Sequence, residues 1–190
     1  MRHIRLGRTG LPVSRLCLGT MTFGQQCDEA TSHAILDRAG GGGITLLLFR
    51  QIERELLPLC EEEGVGVIPC NPLAGGLLTG KHARGGAPTP GTRFPLGTAG
   101  ARYQDRYWHE REFATVEDIR KVAADVGVPM AQLAVSWVLA HPAVTSAIVG
   151  ASRPEQIADL LRTASADLPA DVKAQLDALT EDYRMGDDPR

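Results

Sequence analysis

The first 24 residues set short apolar runs between glycines and prolines: Ile4 to Leu6, a turn at Arg8-Thr9-Gly10, Pro12 to Val13, then Arg15 to Leu18 ending in Gly19-Thr20. Two extended runs joined by a glycine turn predict a hairpin, and the third run predicts a strand. Asp28 sits where a helix N-cap is expected, with Ala30, Ile35, Leu36 and Ala39 on one side before Gly40 to Gly43 end the helix. ITLLLF, residues 44–49, is apolar without alternation, as in a strand buried on both faces. Helical spacing returns from Gln51 to Glu63 through Ile52, Leu56, Leu59 and Cys60.

VGVIP, residues 65–69, predicts a second buried strand, which opens into a glycine-rich turn from Asn71 to Lys81. From His82 to about Gln104 the chain is dense in Gly and Pro and has no period, which predicts a long loop. Amphipathic helices follow at Thr115 to Gly127 and Pro129 to Ala140, then a short strand from Ser146 to Val149, a turn, and helices from Glu155 to Ala164 and Pro169 to Tyr183. Strands alternating with helices imply a parallel sheet with right-handed crossovers, an α/β fold.

Composition narrows the classes. With 190 residues, 43% of them hydrophobic, the chain has material for one core, and a single domain over 1–190 is expected. A net charge of -3 supplies no basic face for phosphate backbones, so nucleic acid is not expected as the main partner. Cys17, Cys27, Cys60 and Cys70 lack the paired short spacing of a zinc site and do not make a disulfide scaffold, so no metal is expected and a reducing cytoplasm suits them. No apolar run approaches the roughly 18 residues that cross a bilayer, and no membrane partner or export signal is expected.

Two segments carry candidate chemistry. Ser152-Arg153-Pro154-Glu155-Gln156 opens a helix just after a strand, where a hydroxyl, a guanidinium and helix N-terminal amides suit a phosphate monoester; an ordinary N-cap beside a surface arginine is the alternative. The turn from Leu73 to Lys81 offers backbone amides, glycines that permit close approach and one cation, which suit a pyrophosphate; a plain strand-to-helix connection is the alternative. The four-glycine run follows a helix instead of opening one and reads as a loose helix end or splice. Trp137 shares a helical side with Leu133 and Ala140 and belongs to the core, whereas Trp108, in the polar segment YQDRYWHERE, either caps a pocket or meets a partner.

Three stretches, in the same order as in the family, resemble aldo-keto reductases: LGRTGLPVSRLCLGTMTFG (6–24), FRQIERELLPLCEEEGVGVIPCNPLAGGLLTGK (49–81) and LAVSWVLAHPAVTSAIVGASRPEQI (133–157). The resemblance implies a TIM-type β/α barrel, which typically needs about 250 residues. GGGGIT (40–45) is similar to the entry of the family's second strand and LLFRQIERE (47–55) to the exit of its sixth, so the two look spliced. The expected fold is therefore half a barrel: about four parallel strands plus the hairpin, with 1–45 as the N-terminal barrel part and 46–190 as the NADP(H)-binding part. The resemblance implies NADP(H) as cofactor, held by Gly19, Thr20, Asn71, Leu73, Gly75, Leu77, Lys81, Gly150, Ser152, Arg153 and Gln156. Within that set, Ser152 and Arg153 would hold the 2'-phosphate and Gln156 would face the adenine.

The family's catalytic Asp, Tyr, Lys and His belong to the excised part, and no position here matches them, so no catalytic residue is named. The family's activity is NADP(H)-linked carbonyl/alcohol interconversion; the alternative for this chain is an inactive NADP(H)-binding or self-associating half-barrel, with a homodimer expected. Two departures bear on affinity. Cys70 stands where the family usually places an aromatic ring against the nicotinamide. Asp159 and Leu160 stand where two polar side chains often complete the adenine site, and Leu160 cannot hydrogen-bond.

Overall fold

A computed structural model describes residues 3–18, 28, 31, 50–163 and 167–185. The hairpin forms as expected. β1 (His3–Arg5) pairs antiparallel with β2 (Pro12–Ser14), Ile4 opposite Val13, and Gly10 closes the turn at a φ of 75°. β3 (Leu16–Leu18) pairs in parallel with β4 (Ala147–Val149), Leu16 opposite Ala147 and Leu18 opposite Val149. The parallel pair alternates: Leu16, Ala147 and Val149 are buried, while Cys17 is exposed and Ile148 half-buried. Arg15, just ahead of β3, donates to the carbonyls of Leu139, Val144 and Thr145 and ties the two ends of the chain together.

The strand expected at Val65 to Pro69 is reduced to two isolated bridges, Val67 to Val144 and Cys70 to Ile148. Val65 is 55% exposed instead of buried. Two features account for this. Residues 64–66 are spent on the hairpin, where the Arg8 N–H donates to Gly64 O at 2.8 Å and a Cβ on Gly66 would lie 2.8 Å from Gly7 N. Pro69 has no N–H for a ladder, although its carbonyl accepts the Ile148 N–H at 3.1 Å.

The single helix expected over Gln51 to Glu63 is a 3₁₀ turn, Arg50–Glu53, followed by α1 (Leu56–Glu62). Pro58 explains the break, because its ring excludes a helical carbonyl four residues earlier while its missing N–H costs nothing in a first turn. The break rotates the helix: Leu57 is buried at 2% and the expected inner residues Leu56 and Leu59 are about half exposed. The loop expected from His82 to Gln104 also contains a helix, α2 (Gly97–Tyr107). Gly100 lets α2 pack on its own approach segment, since a Cβ there would lie 2.3 Å from Phe94 O.

The remaining helices lie within a residue or two of expectation, except at the start of the first and at the end of the last, which stops at Leu179 instead of the expected Tyr183 and gives way to a 3₁₀ turn. They are α3 (Glu110–Asp125), α4 (Met130–Leu139), α5 (Pro154–Thr163) and α6 (Ala170–Leu179), with a 3₁₀ turn at Glu181–Arg184. α3 begins five residues before the expected Thr115, because Phe113 extends its apolar stripe through Val116, Ile119, Val122 and Ala123. That stripe, α4 and the buried face of β3 and β4 make one core. Trp137 is part of it, as its spacing indicates, and its Nε1–H donates to Asp177 at 2.8 Å. Arg50 caps the same ring 4.8 Å from its centroid, holds Glu53 through both guanidinium arms and reaches Thr180 Oγ1 at 2.7 Å. Trp108 is neither an exposed cap nor a lone surface ring: it packs edge-on against Phe94, His82 and Phe113 at 4.7 to 5.0 Å.

Asp28 Oδ1 accepts the Thr31 N–H at 2.8 Å, the N-cap bond that the sequence predicts. Ala30, Ile35, Leu36 and Ala39, the Gly40 to Gly43 run, the strand at 44–49, and Gly19 and Thr20 lie outside the described residues. Among the described residues the sheet is the β3–β4 pair extended by the two bridges, without a closed barrel. No single helix among them is long and apolar enough to cross a membrane.

Candidate functional site

The turn after residue 69 is built on four residues of positive φ. Asn71 adopts φ 71° and Ala74 φ 47°, while Gly75 and Gly76 take φ 69° and 105°. Asn71 holds the shape: its Oδ1 accepts the Gly75 N–H at 2.8 Å and its Nδ2 donates to Tyr107 Oη at 3.0 Å. Both positions call for glycine by their φ, and both lie against close neighbours. A Cβ on Gly75 would lie 2.7 Å from Tyr103 Cδ1, and one on Gly76 would lie 3.2 Å from Lys81 Nζ. Lys81 thus folds back over the backbone of its own turn.

The second segment begins where β4 ends. Gly150 to Arg153 lead into α5, and the Gln156 side chain turns back onto this entry. Its Oε1 accepts the Ser152 N–H at 2.9 Å, the Arg153 N–H at 3.3 Å and the Ser152 hydroxyl at 3.4 Å. The amides that the sequence offers to a phosphate are therefore capped by a neutral side-chain oxygen. Arg153 is exposed, and its charge lies near enough to Lys81 to add to partial burial in lowering the Lys81 pKa from its ordinary value.

Both segments face one cavity of about 430 Å³. Of the expected residues, Asn71, Leu73, Gly75, Lys81, Gly150, Ser152, Arg153 and Gln156 line it. Leu77 does not; its side chain is fully buried beneath the turn. Leu160 and Asp159 both form part of the wall: Leu160 offers no polar group, and Asp159 Oδ1 pairs with Arg162 at 2.6 Å. Cys70 is exposed at the cavity's edge with Ile148 beside it.

Two wall residues were not singled out in the sequence. Arg93 donates to Tyr103 Oη at 3.0 Å, and its guanidinium lies 5.1 Å from the centre of that ring. Both come from the segment read as a structureless loop, so only the pairing of a cation with an aromatic ten residues on could have pointed to them. Tyr103 is the sole Tyr or His in the wall among the described residues. Tyr107 is buried and Tyr183 half-buried, which raises the pKa of each, and they bond to Asn71 and Thr115. His82 lies in the aromatic cluster and His141 accepts the Ala143 N–H.

The glycine turn and the start of α5 thus line one cavity, and residues 44–181 match the model of the Aldo/keto reductase family. The chain belongs to that family. Its family membership makes it an oxidoreductase relative, and aldo/keto reductases generally use NADP(H). A probable voltage-gated potassium channel subunit beta from Oryza sativa subsp. japonica is 35% identical over 112 residues, 59% of this chain and 34% of that one. The uncharacterized oxidoreductase YrpG of Bacillus subtilis (strain 168) is 32% identical over 130 residues, 68% of this chain and 36% of that one. L-glyceraldehyde 3-phosphate reductase of Escherichia coli (strain K12) is 36% identical over 112 residues, 58% of this chain and 32% of its own. A glycerol dehydrogenase structure from Gluconobacter oxydans superposes with a TM-score of 0.60 at 27% identity, over 77% of this chain and 44% of that one. The chain spans about a third of the length of these curated relatives.

Proposed function

We propose that this aldo/keto reductase relative is an NADP(H)-binding half-barrel that does not reduce carbonyls by the family's mechanism. The observation that carries the reading is the convergence of Lys81, Arg93, Ser152 and Arg153 on one cavity floored by Gly75 and Gly76. Lys81 and Arg153 repel one another, and a polyanion between them would relieve that repulsion. Ser152 and Arg153 then take the 2'-phosphate, and the glycine turn with Lys81 and Arg93 takes the pyrophosphate. When bound, a nicotinamide dinucleotide supplies hydride chemistry; what the chain itself supplies is binding and charge. The Asp, Tyr, Lys and His of the family have no counterpart in a sequence that passes from a second-strand-like entry to a sixth-strand-like exit within 40–55. The domain is one unit, with 1–45 joined directly to 46–190.

A second reading, an active carbonyl reductase, has one observation in its favour: the Tyr103 hydroxyl lies in the cavity wall with Arg93 beside it. Quenching of NADPH fluorescence on titration, without NADPH oxidation in the presence of a panel of aldehydes, is the outcome expected of the binder. Turnover near one per second that disappears in Tyr103→Phe would establish the enzyme instead. Dinucleotide choice is a separate readout. Arg153→Ala should weaken NADP(H) by about 1.5 to 3 kcal/mol, the scale of a hydrogen bond to a charged group, and leave NAD(H) nearly unchanged.

A further inference from the structure

The glycine turn is fastened at both ends by residues of other elements. At its start the Asn71 amide donates to Tyr107 Oη on α2. At its end the fastening comes from α3, where Arg120 Nη2–H donates to the Gly80 carbonyl at 3.0 Å. Glu117, one turn earlier on α3, aims that guanidinium, accepting from Nε at 3.2 Å and from Nη2 at 3.3 Å. Gly80 is pressed into this corner. Its φ is 73°, and a Cβ there would lie 2.8 Å from Arg120 Nη1 and 2.9 Å from Met130 Sδ. Met130 opens α4, whose next two residues, Ala131 and Gln132, line the cavity, while Arg120 itself stands outside the cavity wall.

The Gly80 carbonyl and the Lys81 N–H belong to one planar peptide unit, so a bond that fixes the carbonyl fixes the plane from which Lys81 departs. That plane matters, because Lys81 lines the cavity in a pose folded back over Gly76. The carbonyls that end a helical turn have no partner within it, and a planar guanidinium held by a carboxylate is a stiffer partner for them than water. We infer that Arg120 is a positioning residue for the anion site: through the Gly80 carbonyl it keeps Lys81 folded over the turn, and it acts on a bound polyanion by way of Lys81, without touching it. For the identity of the polyanion this rests on the NADP(H)-binding reading; for the placement of the lysine it does not.

The test reads Lys81 directly, in the full chain. Lys81, Lys121 and Lys173 are the lysines of the sequence, so acetylation by acetic anhydride across a pH series, resolved by mass spectrometry, gives the titration of Lys81 with Lys173 as internal reference. Burial and Arg153 hold Lys81 below the ordinary 10.5 in its folded-back pose. In Arg120→Met its titration is expected to move up toward that value, and an unmoved titration overturns the inference. Loss of the Arg120 charge would by itself act in the same direction, and Glu117→Gln separates the two causes by sign. Freeing the guanidinium lets Lys81 swing out and raises its pKa, whereas unmasking the Arg120 charge lowers it, so a fall or no change in Glu117→Gln overturns the positioning role. Both substitutions fall on half-buried side chains at the surface of α3, and Glu117→Gln decides the matter alone if Arg120→Met does not fold. Affinity gives a second arm. Arg120→Met is expected to weaken NADPH, followed by fluorescence quenching, about three- to tenfold, and to add nothing when Lys81 is already Gln. Equal weakening in both backgrounds overturns the inference while NADP(H) binding stands. If NADPH does not bind at all, the NADP(H) reading falls and the lysine titration alone decides the role of Arg120.

Discussion

Lys81 carries the electrostatic state of the cavity. Partial burial and the neighbouring Arg153 lower its pKa from the ordinary lysine value of 10.5. An anion placed between the two cations raises it again, so binding takes up protons wherever the free protein's Lys81 has begun to lose its own. The affinity for NADP(H) should therefore hold steady near neutrality and fall as pH rises through the lowered pKa of Lys81, with the fall complete near the higher pKa of the complex. Titrations between about pH 7 and 10.5 check the sign, and Lys81→Gln should give a weaker but flatter profile. Much of this site was legible from residue types, because glycines before a lysine and a Ser-Arg pair at a helix start have few other uses. Arg93 was not, since a single arginine among prolines and glycines carries no periodic signal and gains its place only from the Tyr103 ring below it.

Among the elements, the segment from His82 to Tyr107 was the least legible and behaves as a unit in the fold. Its glycines and prolines crowd the first half, and they mask a second half of ordinary helix formers. His82 anchors it. The ring is fully buried against Phe94 and Trp108, its Nδ1 meets Thr89 Oγ1 at 3.2 Å, and its Nε2 has no partner among the described residues. Burial, aided by the nearby Lys81 charge, lowers the His82 pKa from 6.5 to about 4. The unfolded chain thus takes up a proton at higher pH than the folded one. The stability from a neutral His82 is whole above 6.5 and declines as pH falls toward about 4. Denaturant midpoints at pH 7, 5.5 and 4 should show this decline, and His82→Leu should make it shallower. Some slope should remain, because burial also lowers the pKa of His141. By contrast α3 to α6 were visible in advance, since an apolar stripe with a period near 3.6 survives any loop chemistry at its ends. The 65–69 strand failed for the opposite reason: a purely apolar pentapeptide says nothing about which neighbour will claim its peptide groups.

For the whole molecule the feature that matters is the side of the sheet that no described helix covers. Cys17 and Ile148 point away from the helices, and Cys70 is exposed beside them. In a closed barrel the corresponding face fills the interior, and a half-barrel leaves it and the strand edges for another surface to cover. A twofold pairing of copies is the commonest symmetric way to do so. Sedimentation at low micromolar concentration is expected to show a species of twice 20.4 kDa, and a sharp monomer boundary with a cooperative melt would refute the pairing. The family and the α/β class were readable from motif order alone. The fate of the 65–69 strand was not, because strand pairing depends on partners far away in sequence.

That distance has a temporal side. β3 ends at Leu18 and its ladder partner ends at Val149, so the parallel pair joins segments about 130 residues apart, and the carbonyls that Arg15 clasps are as distant. At ribosomal rates of roughly 5 to 20 residues per second, β3 spends on the order of ten seconds outside the ribosome before β4 exists. Until then Leu16 and Leu18 lack the strand that pairs with them in the folded chain. Slowing translation should therefore lower the yield of folded protein, as a comparison of soluble yield at two translation rates would show.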